Sequence, residues 1–186
     1  MTDAPQPEFL TPPARVDGSI TLAEADPAWP EQFAHEEDRV RAALGARALQ
    51  IEHVGSTSVP GLAAKPIIDI VLVVADTADE AAYVPDLEAA GYVLQARDFH
   101  PTEHRLLTDH NPDVHVHVLT DGHLEVERMV LFRDRLRTHL DERDLYERTK
   151  RELAARRWAY VQDYADAKSS VVEGIIGRAR ADRGTI

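Results

Sequence analysis

The sequence predicts an α+β domain: a mixed β-sheet with flanking helices, followed by a C-terminal helical extension. Three observations predict it. The β-branched run Ile67 to Val74 is apolar on both faces and reads as a central strand. Shorter strand patterns surround it, and from His123 to about Ala181 the pattern is helical. Strands first and helices last is the order of segregated α+β layers. A chain of 186 residues with 44% hydrophobic content can bury one good core. A single domain over residues 18–186 is therefore expected, with its sheet core running to about residue 120 and its helical part over 123–181.

Residues 1–17 carry four prolines and little apolar periodicity, which predicts a disordered or loosely draped arm without function. Asp26-Pro27 signals a helix start with Asp26 as N-cap; Phe33, Val40 and Leu44 continue its stripe and Gly45 ends it. Ala48 to Val54 predicts a strand, Gly55 to Ala64 a polar loop, Ala78 to Ala90 a helix, and Tyr92 to Arg97 another strand. Arg105–Thr108 and Val114–Leu119 predict a hairpin turned by Asp109-His110-Asn111-Pro112-Asp113. The helical part is expected in three pieces, with Met129, Phe132 and Leu136 of the first facing the core. Trp29, Phe132, Trp158 and Tyr160 are read as packing residues, and Glu36-Glu37-Asp38 as a solvated helix face.

Composition narrows the function classes. A formal charge of −12 argues against general nucleic-acid binding, whose affinity comes from counterion release by Lys and Arg. The absence of cysteine excludes disulfides, thiolate metal sites and cysteine nucleophiles. The longest apolar run, Ile67 to Ala75, is too short for a membrane span and is interrupted by Asp69, and the first residues lack signal-peptide character. A cytoplasmic protein with no membrane partner is expected.

Three features carry chemistry. Gly55-Ser56 after a strand offers backbone N–H groups and a hydroxyl to phosphate oxygens, with glycine permitting close approach. Asp69 lies thirteen residues further on, inside an otherwise apolar strand, where an ionised carboxylate needs a metal or a cation. His115 and His117 alternate with Val114, Val116 and Val118, so both imidazoles leave one face of a strand. Basic residues supply the other half of a phosphate site. Only Lys65, Lys150 and Lys168 of the 21 basic residues are lysines, and an ammonium is a compact point charge suited to a phosphate oxygen. Arg128, Arg133 and Arg137 share a helix, where phosphate contact competes with local salt bridges.

The segments Asp26-Pro27-Ala28-Trp29-Pro30, His53 to Ile70 (HVGSTSVPGLAAKPIIDI), His115-Val116-His117-Val118 and Phe132 to Arg137 (FRDRLR) resemble the GrpB family, within the nucleotidyltransferase superfamily. The resemblance covers about residues 20–180. It implies a nucleotidyltransferase-like mixed β-sheet bearing the Gly-Ser loop, and an Asp that in active superfamily members binds the metal of a nucleoside triphosphate. Some relatives look like GrpB domains fused to a dephospho-coenzyme A kinase. The chain departs from the superfamily pattern at Val71, where a second carboxylate usually points from the same strand face at a pair of Mg²⁺ ions. His115 and His117 stand where a neighbouring strand usually brings the third.

These observations set the expectations. Gly55, Ser56, Thr57, Ser58, Lys65, Arg133, Lys150 and Lys168 are expected to hold the phosphates of a nucleotide or other phosphorylated small molecule. Asp69 and His117 are the catalytic candidates. Asp69, His115 and His117, with His53 as helper, are candidate ligands of a divalent metal: Mg²⁺, Mn²⁺ or Zn²⁺. If the protein is an enzyme, nucleotidyl or phosphoryl transfer is expected. Two alternatives stay open: a non-catalytic nucleotide- or cofactor-binding or chaperone-like module related to coenzyme A metabolism, and a single-metal His/Asp hydrolase or lyase.

Overall fold

The computed structural model describes residues 8–12, 15–98, 103–111 and 113–184. Its elements are β1 (Glu8–Phe9), β2 (Arg15–Gly18), α1 (Trp29–Leu44), β3 (Gln50–Val54), β4 (Ile68–Val74), α2 (Val84–Ala89), β5 (Val93–Arg97), β6 (Arg105–His110), β7 (Asp113–Thr120), α3 (Leu124–Thr138), α4 (Leu140–Ala154), β8 (Trp158–Tyr160), α5 (Val161–Asp166) and α6 (Ser169–Arg183). Six strands form one mixed sheet in the order β1-β5-β6-β7-β4-β3. Only β4 and β7 pair in parallel. The mixed α+β architecture expected from the sequence is therefore the one observed.

Apolar alternation explains both covered faces. On one face Ile68, Ile70, Leu72 and Val74 of β4 join Val114, Val116 and Val118 of β7 against Val40 and Leu44 of α1 and Leu87 of α2. On the other, Val71 and Val73 join Val54 and Leu119 under Val126, Met129 and Val130 of α3. This second face is apolar only along part of its length. At its near end the same alternation brings out Asp69, His115 and His117, and the helices leave a cavity above them.

Several elements differ from expectation for local reasons. Helix α1 begins at Trp29 with Pro30 in its first turn, while Asp26 Oδ1 accepts from the Ala28 N–H at 2.8 Å and shapes the turn before it. The helix expected over 78–90 is a single 3₁₀ turn, Glu80–Ala82, followed by the short α2. The C-terminal part holds four helices and a strand. Trp158 opens that strand, its indole N–H donating to the Leu153 carbonyl at 2.8 Å and its ring meeting Tyr164 edge-on. The strand finds its partner in β2.

The N-terminal segment expected as a draped arm thus lends β2 to that two-stranded sheet and β1 to the β5 edge of the main one; residues 1–7 lie outside the described residues. Glu36 is also not solvated: it is 1% exposed, accepts from the Tyr92 hydroxyl at 2.6 Å and pairs with Arg39. Among the described residues, no helix is long and apolar enough to cross a membrane.

Candidate functional site

The loop between β3 and β4 is the platform of the site. Gly55 leaves β3 at φ 69°, in the left-handed region that favours glycine. A Cβ added there would sit 2.2 Å from Asp69 Oδ2 and 2.9 Å from Asp69 Cβ, so glycine is also what lets the loop lie against the carboxylate. The loop closes on itself: Thr57 Oγ1 donates to the Ile67 carbonyl at 2.9 Å and Ser58 Oγ to the Gly55 carbonyl at 2.6 Å. Cationic side chains from the helices pin its other carbonyls. Arg137 donates twice to Ser58 O at 3.0 and 2.8 Å, Arg143 donates to Pro60 O at 3.2 Å, and Lys150 donates to Ala63 O. These bonds fix the Gly55, Ser58, Pro60, Ala63 and Ile67 carbonyls in place.

Strand register supplies the acid and the imidazoles. Asp69 pairs with His115 across the parallel β4–β7 ladder, and His117 follows two residues on along the same face. His115 Nδ1 and His117 Nε2 each lie 3.6 Å from Asp69 Oδ1, and one ligand atom from each residue falls within 4.8 Å of the others. Donors about 2.0–2.2 Å from a tetrahedral ion lie about 3.4 Å apart, so the cluster is close to the spacing that a single divalent ion requires. Two nitrogens and one oxygen suit Zn²⁺ or Mn²⁺ better than Mg²⁺, and three protein ligands leave a position open. Burial would push the Asp69 carboxyl up, but the two imidazoles hold it below the usual carboxylate range.

A third imidazole stands behind these. His104 Nε2 is 3.1 Å from His117 Nδ1, and the rings stack with centroids 5.1 Å apart. This contact leaves His117 Nε2 facing Asp69, as an outer-shell partner does for a metal-ligating imidazole. Burial, with His117 and Arg105 adding to it, lowers the His104 pKa to about 3. Nothing in the residue pattern singled out His104, because it precedes β6 and reaches the site only through the β6–β7 pairing.

All three lysines of the chain line the same cavity of about 640 Å³. Lys65 comes from the loop, Lys150 from α4 one helical turn beyond Tyr146, and Lys168 from the start of α6. Lys150 Nζ lies 4.8 Å from the Tyr146 ring centre and Lys168 Nζ 4.5 Å from that of Tyr164, so the cavity aromatics carry cations. Desolvation, with Lys168 nearby, lowers Lys150 to about 7; desolvation, with Lys65 nearby, lowers Lys168 to about 8. Lys65 is likewise lowered by burial, against the pull of Asp69. Phe9, Leu22, Ala96, Leu106 and Val161 give the same cavity an apolar share of its lining.

The structure brings Gly55, Ser56, Lys65, Asp69, His115, His117, Lys150 and Lys168 to one cavity, and leaves four of the expected residues elsewhere. Thr57 and Ser58 are buried and engaged within the loop. His53 pairs in register with Ile70, so it leaves the opposite face, stacks on Phe33 at 4.7 Å and lies 3.1 Å from Thr57 Oγ1. Strand alternation thus removes it as a helper ligand. Arg133 is consumed by Glu52 at 2.6 Å, Asp134 at 2.8 Å and the His53 carbonyl at 3.0 Å, and does not reach the cavity. Arg128 likewise pairs with Glu125 and Glu173.

Residues 19–178, which include strands β3 to β7 of the main sheet, the loop and the helices over the cavity, match the family described as GrpB protein. The chain belongs to the GrpB family. It is 55% identical over 165 residues to the UPF0157 protein of Halalkalibacterium halodurans, covering 89% of this chain and 85% of that one. The crystal structure of the conserved protein GrpB from Enterococcus faecalis aligns at 30% identity with a TM-score of 0.73, covering 88% of this chain and 99% of that one. A shorter stretch, 76 residues, is 43% identical to the dephospho-CoA kinase of Mycolicibacterium paratuberculosis, covering 39% of this chain and 19% of the kinase. The GrpB resemblance read from the central loop and the two histidine and arginine segments is thereby borne out.

Proposed function

We propose that this GrpB-family chain binds a nucleotide or another phosphorylated small molecule in the cavity between sheet and C-terminal helices, and transfers a nucleotidyl or phosphoryl group. One observation carries the reading: in a chain of net charge −12, every lysine lines the cavity that also holds the Asp69–His115–His117 cluster. Buried ammonium groups are costly without a counter-charge, and a phosphorylated ligand supplies one. Lys65 and Lys168 neutralise the phosphate oxygens, Ser56 hydrogen-bonds to them, and the apolar wall accepts the ligand's less polar part. Asp69, His115 and His117 hold one divalent ion, which when bound supplies electrophilic stabilisation of the transferring group.

Val71 favours a single ion over a pair. It pairs in register with His117 and is 0% exposed beneath α3, so no second carboxylate projects from β4 beside Asp69. This supports a second reading, hydrolysis or lyase chemistry at one transition metal. A non-catalytic binding module related to coenzyme A metabolism would keep the lysines and dispense with the metal. The partial likeness to a dephospho-CoA kinase supports testing coenzyme A precursors.

The test is a thermal-shift panel of nucleotides and coenzyme A precursors, with and without Mg²⁺, Mn²⁺ and Zn²⁺, on the wild type, Asp69→Ala and Lys65→Ala. A specific ligand raises the melting temperature, because it binds the folded state. Dependence on a metal and on Asp69 supports transfer; a shift that ignores both supports the binding module. If no phosphorylated ligand shifts the wild type, the proposal fails.

A further inference from the structure

A second pair of reactive groups stands at the cavity wall, apart from the Asp/His cluster. Lys150 Nζ lies 3.1 Å from Ser56 Oγ, donates to the Ala63 carbonyl and stands over the Tyr146 ring. The lysine is 2% exposed and makes no salt bridge among the described residues; Glu147, one turn earlier on α4, is taken by Arg151 at 2.8 Å. Ser56, by contrast, faces the cavity beside the Gly55–Asp69 contact. The analogous pair in the loop, Thr57 and His53, is sealed off: both are buried, and Thr57 already donates to a carbonyl. Of the two hydroxyl–base pairs, only Ser56–Lys150 opens onto the space where a ligand would sit.

We propose that Ser56 is a nucleophile and Lys150 its general base, forming a Ser–Lys dyad that takes up a phosphoryl group from the ligand in the cavity. That the electrophile is a phosphoryl group rests on the function proposed above; the reactivity of Ser56 does not. Ser56 Oγ forms a bond to phosphorus as the bond from phosphorus to the leaving oxygen breaks, and the leaving oxygen departs with the electron pair. The Ser56 proton passes to Lys150 Nζ and from there to the leaving oxygen. An acceptor hydroxyl or water then attacks the phosphoserine, giving its proton to Lys150, and Ser56 Oγ regains a proton as the O–P bond breaks. Ser–Lys pairs perform the work of Ser–His pairs when the amine is neutral near physiological pH. Burial provides that neutrality, with Lys168 from the start of α6 and Arg151 adding to it and Glu147 opposing it; Tyr146, Ser56 and the Ala63 carbonyl face the amine without net charge.

The test uses phenylmethanesulfonyl fluoride, which needs neither metal nor phosphate. Ser56 Oγ would form the O–S bond, fluoride would leave, and Lys150 would take the proton. Peptide mapping by mass spectrometry should find the adduct on Ser56, formed at a rate that rises with pH through an inflection near 7, and absent in Ser56→Ala. Lys150→Arg keeps the charge but cannot accept a proton, so labelling should slow by roughly 100-fold, the scale of a lost general base. A lysine that merely binds phosphate predicts no such loss. An unlabelled Ser56, a wild-type rate that tracks hydroxide without an inflection, or Lys150→Arg labelled at the wild-type rate overturns the dyad. The wild-type pH profile decides the matter if Lys150→Arg does not fold. A protein that labels at Ser56 yet binds no phosphorylated ligand refutes only the proposed function.

Discussion

Gly55 and Asp69 are in such close apposition that no side chain fits between them: a Cβ on Gly55 would lie 2.2 Å from Asp69 Oδ2 and 2.9 Å from its Cγ. Because Asp69 Cβ is as near, rotating the carboxylate away does not relieve the clash. Gly55→Ala therefore combines this overlap with a positive φ, and should lower stability by about 1–3 kcal/mol. It should also displace Asp69 from His115 and His117. Thermal unfolding and metal affinity of the purified variant check both effects; a variant with wild-type stability contradicts the contact.

Arg133 tests whether a basic residue near the site is structural. It is 8% exposed and bound to Glu52, Asp134 and the His53 carbonyl. Arg133→Ala takes the donor from the His53 carbonyl and from Glu52 Oε2, leaving the 30% exposed Glu52 with only its Gln50 contact, and should cost about 1–3 kcal/mol. Affinity for a phosphorylated ligand, measured calorimetrically on the folded fraction, should stay within about threefold of the wild type, whereas Lys65→Ala should weaken it by about tenfold or more.

Lys150 predicts an alkaline trend. Its folded pKa is lowered to about 7 from an ordinary 10.5, so between those values the unfolded chain holds a proton that the folded chain lacks. Stability should rise as pH rises from 7 to 9, by up to about 1.4 kcal/mol per pH unit from this group. Urea unfolding of the wild type and Lys150→Met checks the sign: the variant should show a shallower slope.

His53 acts at the acid end. Desolvation lowers its pKa to about 4, from 6.5, against the pull of Asp69. As pH falls from 6.5 towards 4 the unfolded state gains a proton that the folded state refuses, so stability falls across that window. His53→Asn, which keeps a polar group near Thr57 but does not titrate there, should flatten the denaturation profile between pH 6.5 and 4.

What the sequence disclosed, and what it withheld, follows from how local each signal is. The β-branched run into β4 and the His-Val alternation of β7 reveal their strands and the faces of Asp69, His115 and His117, because a period of two is set by neighbouring residues. The scarcity of lysine against arginine pointed to three positions on a loop and two helices, and they meet in one cavity. β1, β2 and β8 were hidden because each is two to four residues long and exists only through a distant partner. The positions of His53 and Arg133 are not legible in the sequence for the same kind of reason. Which face of β3 meets which helix is decided by packing across the sheet, and His104 enters the site through a strand pairing that spacing alone does not reveal.

The proposed function requires one cavity to hold a divalent ion at Asp69, His115 and His117 and a phosphate at its lysines. Crystals soaked in Mn²⁺ and inorganic pyrophosphate, with anomalous scattering collected at the manganese edge, test it most directly. The expected result is a single manganese peak among Asp69 Oδ1, His115 Nδ1 and His117 Nε2, with pyrophosphate density against Lys65 and Lys168. A cavity that takes up neither ion, or manganese bound away from these three side chains, would contradict it.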